Sequence, residues 1–151
     1  MLQILVLQGP NINMLGRRKA SQYGTVTMDE IHERMSEKAE GIDCDLTFFQ
    51  SNHQGALVDQ VQDSREKSNG IILNPAGLTG VGYSLRDAIE DSGLPTVEVH
   101  LSNIHAREAF RHHSCFSAIA VGQVVGFRWR GYLAALDMLA ASIRENENEA
   151  E

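Results

Sequence analysis

The feature that most constrains this chain is the exchange of two hydrophobic periods along it. Short unbroken apolar runs alternate with stretches whose apolar residues recur every three or four positions. Residues 3–7 are apolar and branched after Gln3, the pattern of a strand covered on both faces. Thr27 with Glu30 three residues on is a capping box. It predicts a helix over about residues 28–40, with Met28, Ile31, Met35 and Ala39 on one face. Further strands are predicted at 46–50, 70–73, 96–101 and 117–121. Between them, helices are predicted at about 55–68, carrying Leu57, Val58 and Val61, and in a short stretch carrying Leu85, Ala88 and Ile89. A last helix over about 131–144 aligns Tyr132, Leu136, Leu139 and Ile143.

Strand–helix alternation with short loops implies a parallel sheet covered by helices on both faces. The expected fold class is α/β: a flavodoxin-like three-layer fold with a five-stranded parallel sheet in the order 2-1-3-4-5. Ligands of such sheets bind beyond the carboxyl ends of the strands, where the strand order reverses. The residues after strands one, three and four are therefore expected to face one crevice.

The chain has 151 residues, which suits one domain spanning 1–151, with a frayed acidic tail from about 144. Thirteen basic against 20 acidic residues give a net charge of -7, the wrong sign for gripping a nucleic-acid backbone. No apolar run approaches the roughly 20 residues of a spanning helix, so no membrane partner is expected. The start carries no basic leader or small-residue cleavage site, and the expected location is cytoplasmic. Cys44 and Cys115 are isolated and suggest neither a disulfide framework nor a zinc knuckle.

The strand ends carry the polar residues. Asn11 and Asn13 follow strand one, and Asn74 follows strand three. Glu98 and His100 lie two apart in strand four and so share a face. A carboxylate beside an imidazole fixes its tautomer and supports its protonated form, as a general acid requires; the pair also reads as a satisfied core histidine. Residues 14–26 have little periodicity, three basic residues and two glycines, and are expected to form a mobile surface segment. It holds Arg17, Arg18, Lys19 and Tyr23. A guanidinium beside a phenol favours the phenolate, so a Tyr–Arg pair can act as a base; a solvated basic loop is the plainer reading.

Three other clusters carry less. His100, His105, His112 and His113, with Glu98 and Glu108, raise the possibility of zinc. No His-x-x-x-His spacing occurs, and adjacent His112 and His113 would point apart on a helix, so no metal is expected. The glycine-rich loop 74–82 suits either a phosphate cradle or a strand-to-helix turn, and lacks a Walker lysine. Tyr83, Phe127, Trp129 and Tyr132 fit core or subunit contacts better than a flavin pocket.

Three separated motifs, GPNINMLGRR with a following YG, NPAGLT with SLRDA, and EVHLSNIHAREAFRHHS, stand in one order from about residue 5 to 139. With them the chain resembles the type II 3-dehydroquinate dehydratases, the small dehydroquinases of the shikimate and quinate routes. The resemblance implies trans elimination of water from 3-dehydroquinate through an enolate, giving 3-dehydroshikimate without a cofactor. It implies Tyr23 as base, Arg18 as its activator, His100 as acid and Glu98 as the group orienting it. It implies that Asn11 positions a water near the enolate oxygen and that Asn74 holds the histidine and substrate. Backbone donors at Leu101 and Ser102 would take the substrate carboxylate, Arg111 would reach ring hydroxyls, and Asp87 would help close a neighbouring subunit's pocket. Trimers packed into a homododecamer are implied as the assembly, consistent with the apolar residues Val124, Val125, Phe127 and Trp129 near strand five.

Only three lysines, Lys19, Lys38 and Lys67, leave little room for Schiff-base chemistry. Two positions depart from the family's usual pattern: Gly80 stands where a histidine is usual, and Lys19 where an acid follows the arginine. The runner-up reading is a paralogue that binds a cyclic hydroxy-acid analogue with weak or altered turnover.

Overall fold

The structure is a computed structural model and describes all of residues 1–151. Its axis is β1 (Leu2–Gln8), buried at every position but Gln3. On one side lies β2 (Cys44–Gln50); on the other follow β3 (Gly70–Asn74), β4 (Thr96–His100) and β5 (Gly122–Val125). The order is β2-β1-β3-β4-β5 and every pair is parallel. The fold is the expected flavodoxin-like α/β arrangement.

Strand alternation divides the core in two. Ile4, Val6, Ile72, Val97 and Val99 face α2 (Met28–Gly41) and α5 (Arg130–Ala150), where they meet Ile31, Met35, Tyr132, Leu136 and Leu139. Leu5, Leu7, Ile71 and Leu73 face α3 (Gln54–Ser64) and α4 (Tyr83–Ser92), where they meet Leu57, Val61, Leu85 and Ile89. The Thr27 hydroxyl accepts the Glu30 N–H at 3.2 Å, so the capping box does start α2. The segment 14–26 is mostly irregular, with one helical turn, α1 (Ala20–Tyr23), that ends on Tyr23.

The same alternation decides which polar groups share a side. Gln8 and Asn74 sit opposite each other in the β1–β3 register and share the α2/α5 side with Val6 and Ile72. Glu98 and His100 lie on the other side from Val97 and Val99, sharing a face as expected. At the switch between β1 and β3 the two backbones nearly touch. A Cβ on Gly9 would stand 2.6 Å from the Pro75 carbonyl oxygen, so only glycine fits there.

Three expected boundaries are corrected. The fifth strand is Gly122–Val125, not 117–121. Residues 117–121 form turns instead, with the Ile119 and Ala120 N–H groups both donating to the Phe116 carbonyl. The strand itself is an edge, half open to solvent, so it carries less apolar signal than the run before it. The last helix does not give way to an irregular tail at 144 but continues to Ala150. Arg144 anchors it, donating to the carbonyls of Ile42 at 2.7 Å and Asp43 at 3.1 Å. Finally, α3 stops at Ser64, and the chain turns there through bonds from Lys67 and Ser68 to the Ser64 carbonyl.

Candidate active site

A cleft opens at the carboxyl ends of β1, β3 and β4, at the reversal of strand order. Its walls bring together Asn11, Arg18, Tyr23, Asn74, His100, Leu101, Ser102 and Arg111, eight of the ten residues singled out in the sequence. Glu98 stands directly behind His100 with no exposure. Asp87 is not in the cleft: its exposed carboxylate lies on α4, 3.1 Å from Arg86.

The rigid half of the site is built on β4. His100 is buried and its Nε2 is bonded to the Glu98 carboxylate. The same carboxylate accepts the Ser114 hydroxyl at 2.8 Å, the Ser117 hydroxyl at 3.1 Å and the Gln123 side-chain N–H at 2.9 Å. Burial alone pushes the Glu98 carboxyl up. The bond and charge attraction from His100, then the bonds from Gln123 and Ser114, outweigh burial and hold it below the usual carboxylate range. Glu98 is thus an anion, and it fixes the edge of the His100 ring facing it. Past His100 the chain leaves the sheet. The N–H groups of Leu101 and Ser102 donate to no other group of the chain. Two successive uncommitted backbone donors beside a cleft can receive an anionic oxygen.

The other half comes from the loop. The Tyr23 hydroxyl accepts from Arg18 Nη2 at 2.9 Å, and the Arg18 guanidinium also lies 3.8 Å from the centre of the tyrosine ring. A second guanidinium shares the phenol oxygen: Arg107 Nη1 donates to it at 2.8 Å and to the Ser102 hydroxyl at 3.1 Å. Two cationic donors on one phenol oxygen stabilise negative charge developing there. Arg107 was not among the residues picked from the sequence. It lies in an irregular stretch with no period, and the only pointer was a charge a few residues past a strand end. Its buried Nε has no hydrogen-bond partner.

Arg111 reaches the cleft while Glu108 holds its Nε at 2.7 Å. Asn11 takes a left-handed conformation, φ 70°, which asparagine tolerates better than most residues; its N–H donates to the Asn52 side chain at 2.9 Å. Gly80 lines the cleft as well. A Cβ there would lie 3.3 Å from the His113 carbonyl and 3.6 Å from that of Phe110. No three of the chain's His, Cys, Asp and Glu side chains gather in a group suited to a metal ion.

The chain is similar to known proteins over most of its length. The sequence profile described as "Dehydroquinase class II" matches residues 2–140. A 3-dehydroquinate dehydratase of Herpetosiphon aurantiacus is 54% identical over 136 residues, covering 90% of this chain and 94% of that protein. One of Endomicrobium trichonymphae is 52% identical, covering 90% and 95%. A crystal structure of a type II dehydroquinase from Butyrivibrio crossotus superposes with a TM-score of 0.89 at 36% identity, covering 91% of this chain and 97% of that one.

The lowered pKa of Glu98 carries a pH signature. The native carboxyl binds its proton less tightly than the unfolded one. Its share of stability is therefore complete above the ordinary glutamate value of about 4.3 and drains away as pH falls through the lower native value. Glu98→Gln lacks that share. In urea denaturation the stability gap between wild type and Glu98→Gln is expected to be widest near pH 7 and to narrow in the acid range; a constant gap would contradict the assignment.

Proposed function

The chain belongs to the class II dehydroquinase family of enzymes, and from that membership we propose that it converts 3-dehydroquinate to 3-dehydroshikimate, with Tyr23 as the base and His100 as the acid. The observation that carries this reading is the meeting, in one cleft, of a phenol oxygen held by two guanidiniums and a histidine backed by a buried carboxylate.

In this reading the Tyr23 phenolate removes the proton from C2 of the substrate, and the electron pair moves into an enolate. A water positioned by Asn11 lies at the enolate oxygen. The enolate then collapses, the C1 hydroxyl departs, and His100 supplies the proton that lets it leave as water. Trans geometry requires base and acid on opposite faces of the ring. That matches a base on the loop and an acid on β4. The free N–H groups of Leu101 and Ser102 take the substrate carboxylate, Arg111 reaches ring hydroxyls, and Asn74 orients the ring and histidine. Arg18 and Arg107 together hold the phenolate. Closure of the loop over bound substrate would complete the site and exclude water.

Adding 3-dehydroquinate to the purified protein should raise the ultraviolet absorbance of a conjugated enone. A flat trace at high enzyme concentration would transfer the site to a binder of a cyclic hydroxy-acid analogue. Tyr23→Phe keeps the ring and removes the ionisable oxygen. It should lower turnover at least about 100-fold, the lower end for loss of a general base. His100→Ala should abolish dehydration while exchange of the C2 proton persists. Near-normal turnover in either variant would refute its role.

Gly80 bears on affinity. A histidine side chain here could add one neutral hydrogen bond to substrate, worth about 0.5–1.5 kcal/mol, or roughly threefold to tenfold in binding. Without it, KM for 3-dehydroquinate is expected to be raised and kcat measurable. Gly80→His needs the carbonyl of His113 to give by a few tenths of an ångström, while that of Phe110 stands at ordinary contact distance. If it does, kcat/KM should rise; no change in KM would show the position to be silent.

The same proposal includes self-association as trimers within a homododecamer. Asp87, exposed on α4 and outside its own cleft, can act only on a neighbour's. Phe127 is 70% exposed and Val121 55%, apolar surface that an interface would cover. Light scattering at micromolar concentration should report a multimer; a monomer would remove Asp87 from the site.

A further inference from the structure

A buried polar chain runs from the floor of the cleft away from the substrate side. Asn74, 3% exposed, donates through Nδ2 to the Tyr132 hydroxyl at 2.8 Å. Tyr132 lies on α5 with no exposure at all. Its oxygen also accepts from Gln8 Nε2 at 3.1 Å, and Gln8 Oε1 lies 2.5 Å from Nε2 of His32 on α2. Gln8 is likewise fully buried. His32 is half-buried, with its ring stacked 4.0 Å from Phe48. Four side chains from β1, β3, α2 and α5 thus connect the cleft to the half-buried His32 beside β2.

The accounting at Asn74 shows what this chain achieves. The amide oxygen accepts the Ala76 N–H at 3.1 Å, and one Nδ2 hydrogen goes to Tyr132. Only the second Nδ2 hydrogen remains for the cleft. Turning the amide over would set its NH2 against the Ala76 N–H, donor against donor, while the phenol oxygen fixes where the other end of the amide lies. Asn74 is locked in one orientation from behind. The phenol serves this purpose because it stays neutral: burial pushes its pKa up to about 12, against the bonds from Gln8 and Asn74.

We propose that Tyr132 is a positioning residue for the reaction, acting through Asn74, and that Gln8 holds the phenol in place for it. This rests on the reading of the cleft given above. The aromatic ring packs among Leu136, Val99 and their neighbours, and that packing survives in Tyr132→Phe. The oxygen alone is lost, and with it the hold on Asn74.

The test is a double-mutant cycle on the full chain with 3-dehydroquinate. Tyr132→Phe should lower kcat roughly threefold to tenfold, the span of one neutral hydrogen bond, with KM changing less than kcat because the backbone donors and Arg111 remain. In an Asn74→Ala background the same substitution should change kcat no further. Equal losses in both backgrounds, or a lowered Tm with kcat retained, would mark Tyr132 as structural only and overturn the proposal. Full turnover in Asn74→Ala would instead overturn the reading of the cleft, and this proposal with it. If Tyr132→Phe fails to fold, Gln8→Met serves in its place. A smaller loss, absent in the Asn74→Ala background, supports the proposal; undiminished kcat overturns it.

Discussion

Glu98 is the group around which the upper edge of the sheet is organised. A carboxylate with no exposure costs several kcal/mol in lost hydration unless its lone pairs are met. Here four donors meet them: His100 from its own strand, Ser114 and Ser117 from the loop beyond, and Gln123 from β5. Gln123 is also the register partner of Glu98 across β4 and β5. The edge strand, the loop before it and the histidine are therefore placed by one charge. The start of β5 follows from this. Ser117 has to reach inward to the carboxylate, so residues around it turn, and pairing with β4 begins only at Gly122.

The two sides of the sheet then divide the work at its carboxyl edge. On the α3/α4 side, alternation puts Glu98 and His100 in line, and a buried anion fixes the ring. On the α2/α5 side, the same alternation puts Gln8 and Asn74 opposite each other, where a neutral phenol fixes the amide. Each residue of the rigid wall is thus held by a group lying behind it in the core, out of the cleft. The Tyr23 oxygen has no such backing, although the tyrosine ring packs against the core. The residue ends a single helical turn, and the partners of its oxygen, Arg18 and Arg107, line the cleft themselves. The proposed closure over substrate would carry this group with its loop while the wall stays still.

What the sequence made legible follows from period and local geometry. The strand order, the shared face of Glu98 and His100 and the capping box at Thr27 each depend on residues a few positions apart. What it left unread depends on contacts distant in the chain. Arg107 meets Tyr23 across 84 residues, and Tyr132 meets Gln8 across 124. Tyr132 was read only as a core aromatic, since spacing places its ring but says nothing of its oxygen. The end of α5 was misjudged for the same reason. Its sequence is acidic and polar, and the bonds from Arg144 to the carbonyls of Ile42 and Asp43 cross about 100 positions.

Charge is where the local and overall pictures diverge most. The chain carries a net -7, yet the cleft holds the guanidiniums of Arg18, Arg107 and Arg111. Glu108 bonds Arg111 and stands 3.8 Å from Arg107, so one carboxylate answers two of the three cations. Glu98 is occupied by His100 and its three neutral donors. The buried Nε of Arg107 is left without a hydrogen bond. A site in this state is short of negative charge, and the shortage acts at close range, since charges are screened beyond about 8 Å at physiological salt. An anionic substrate therefore meets attraction where it binds even though the surface as a whole is acidic.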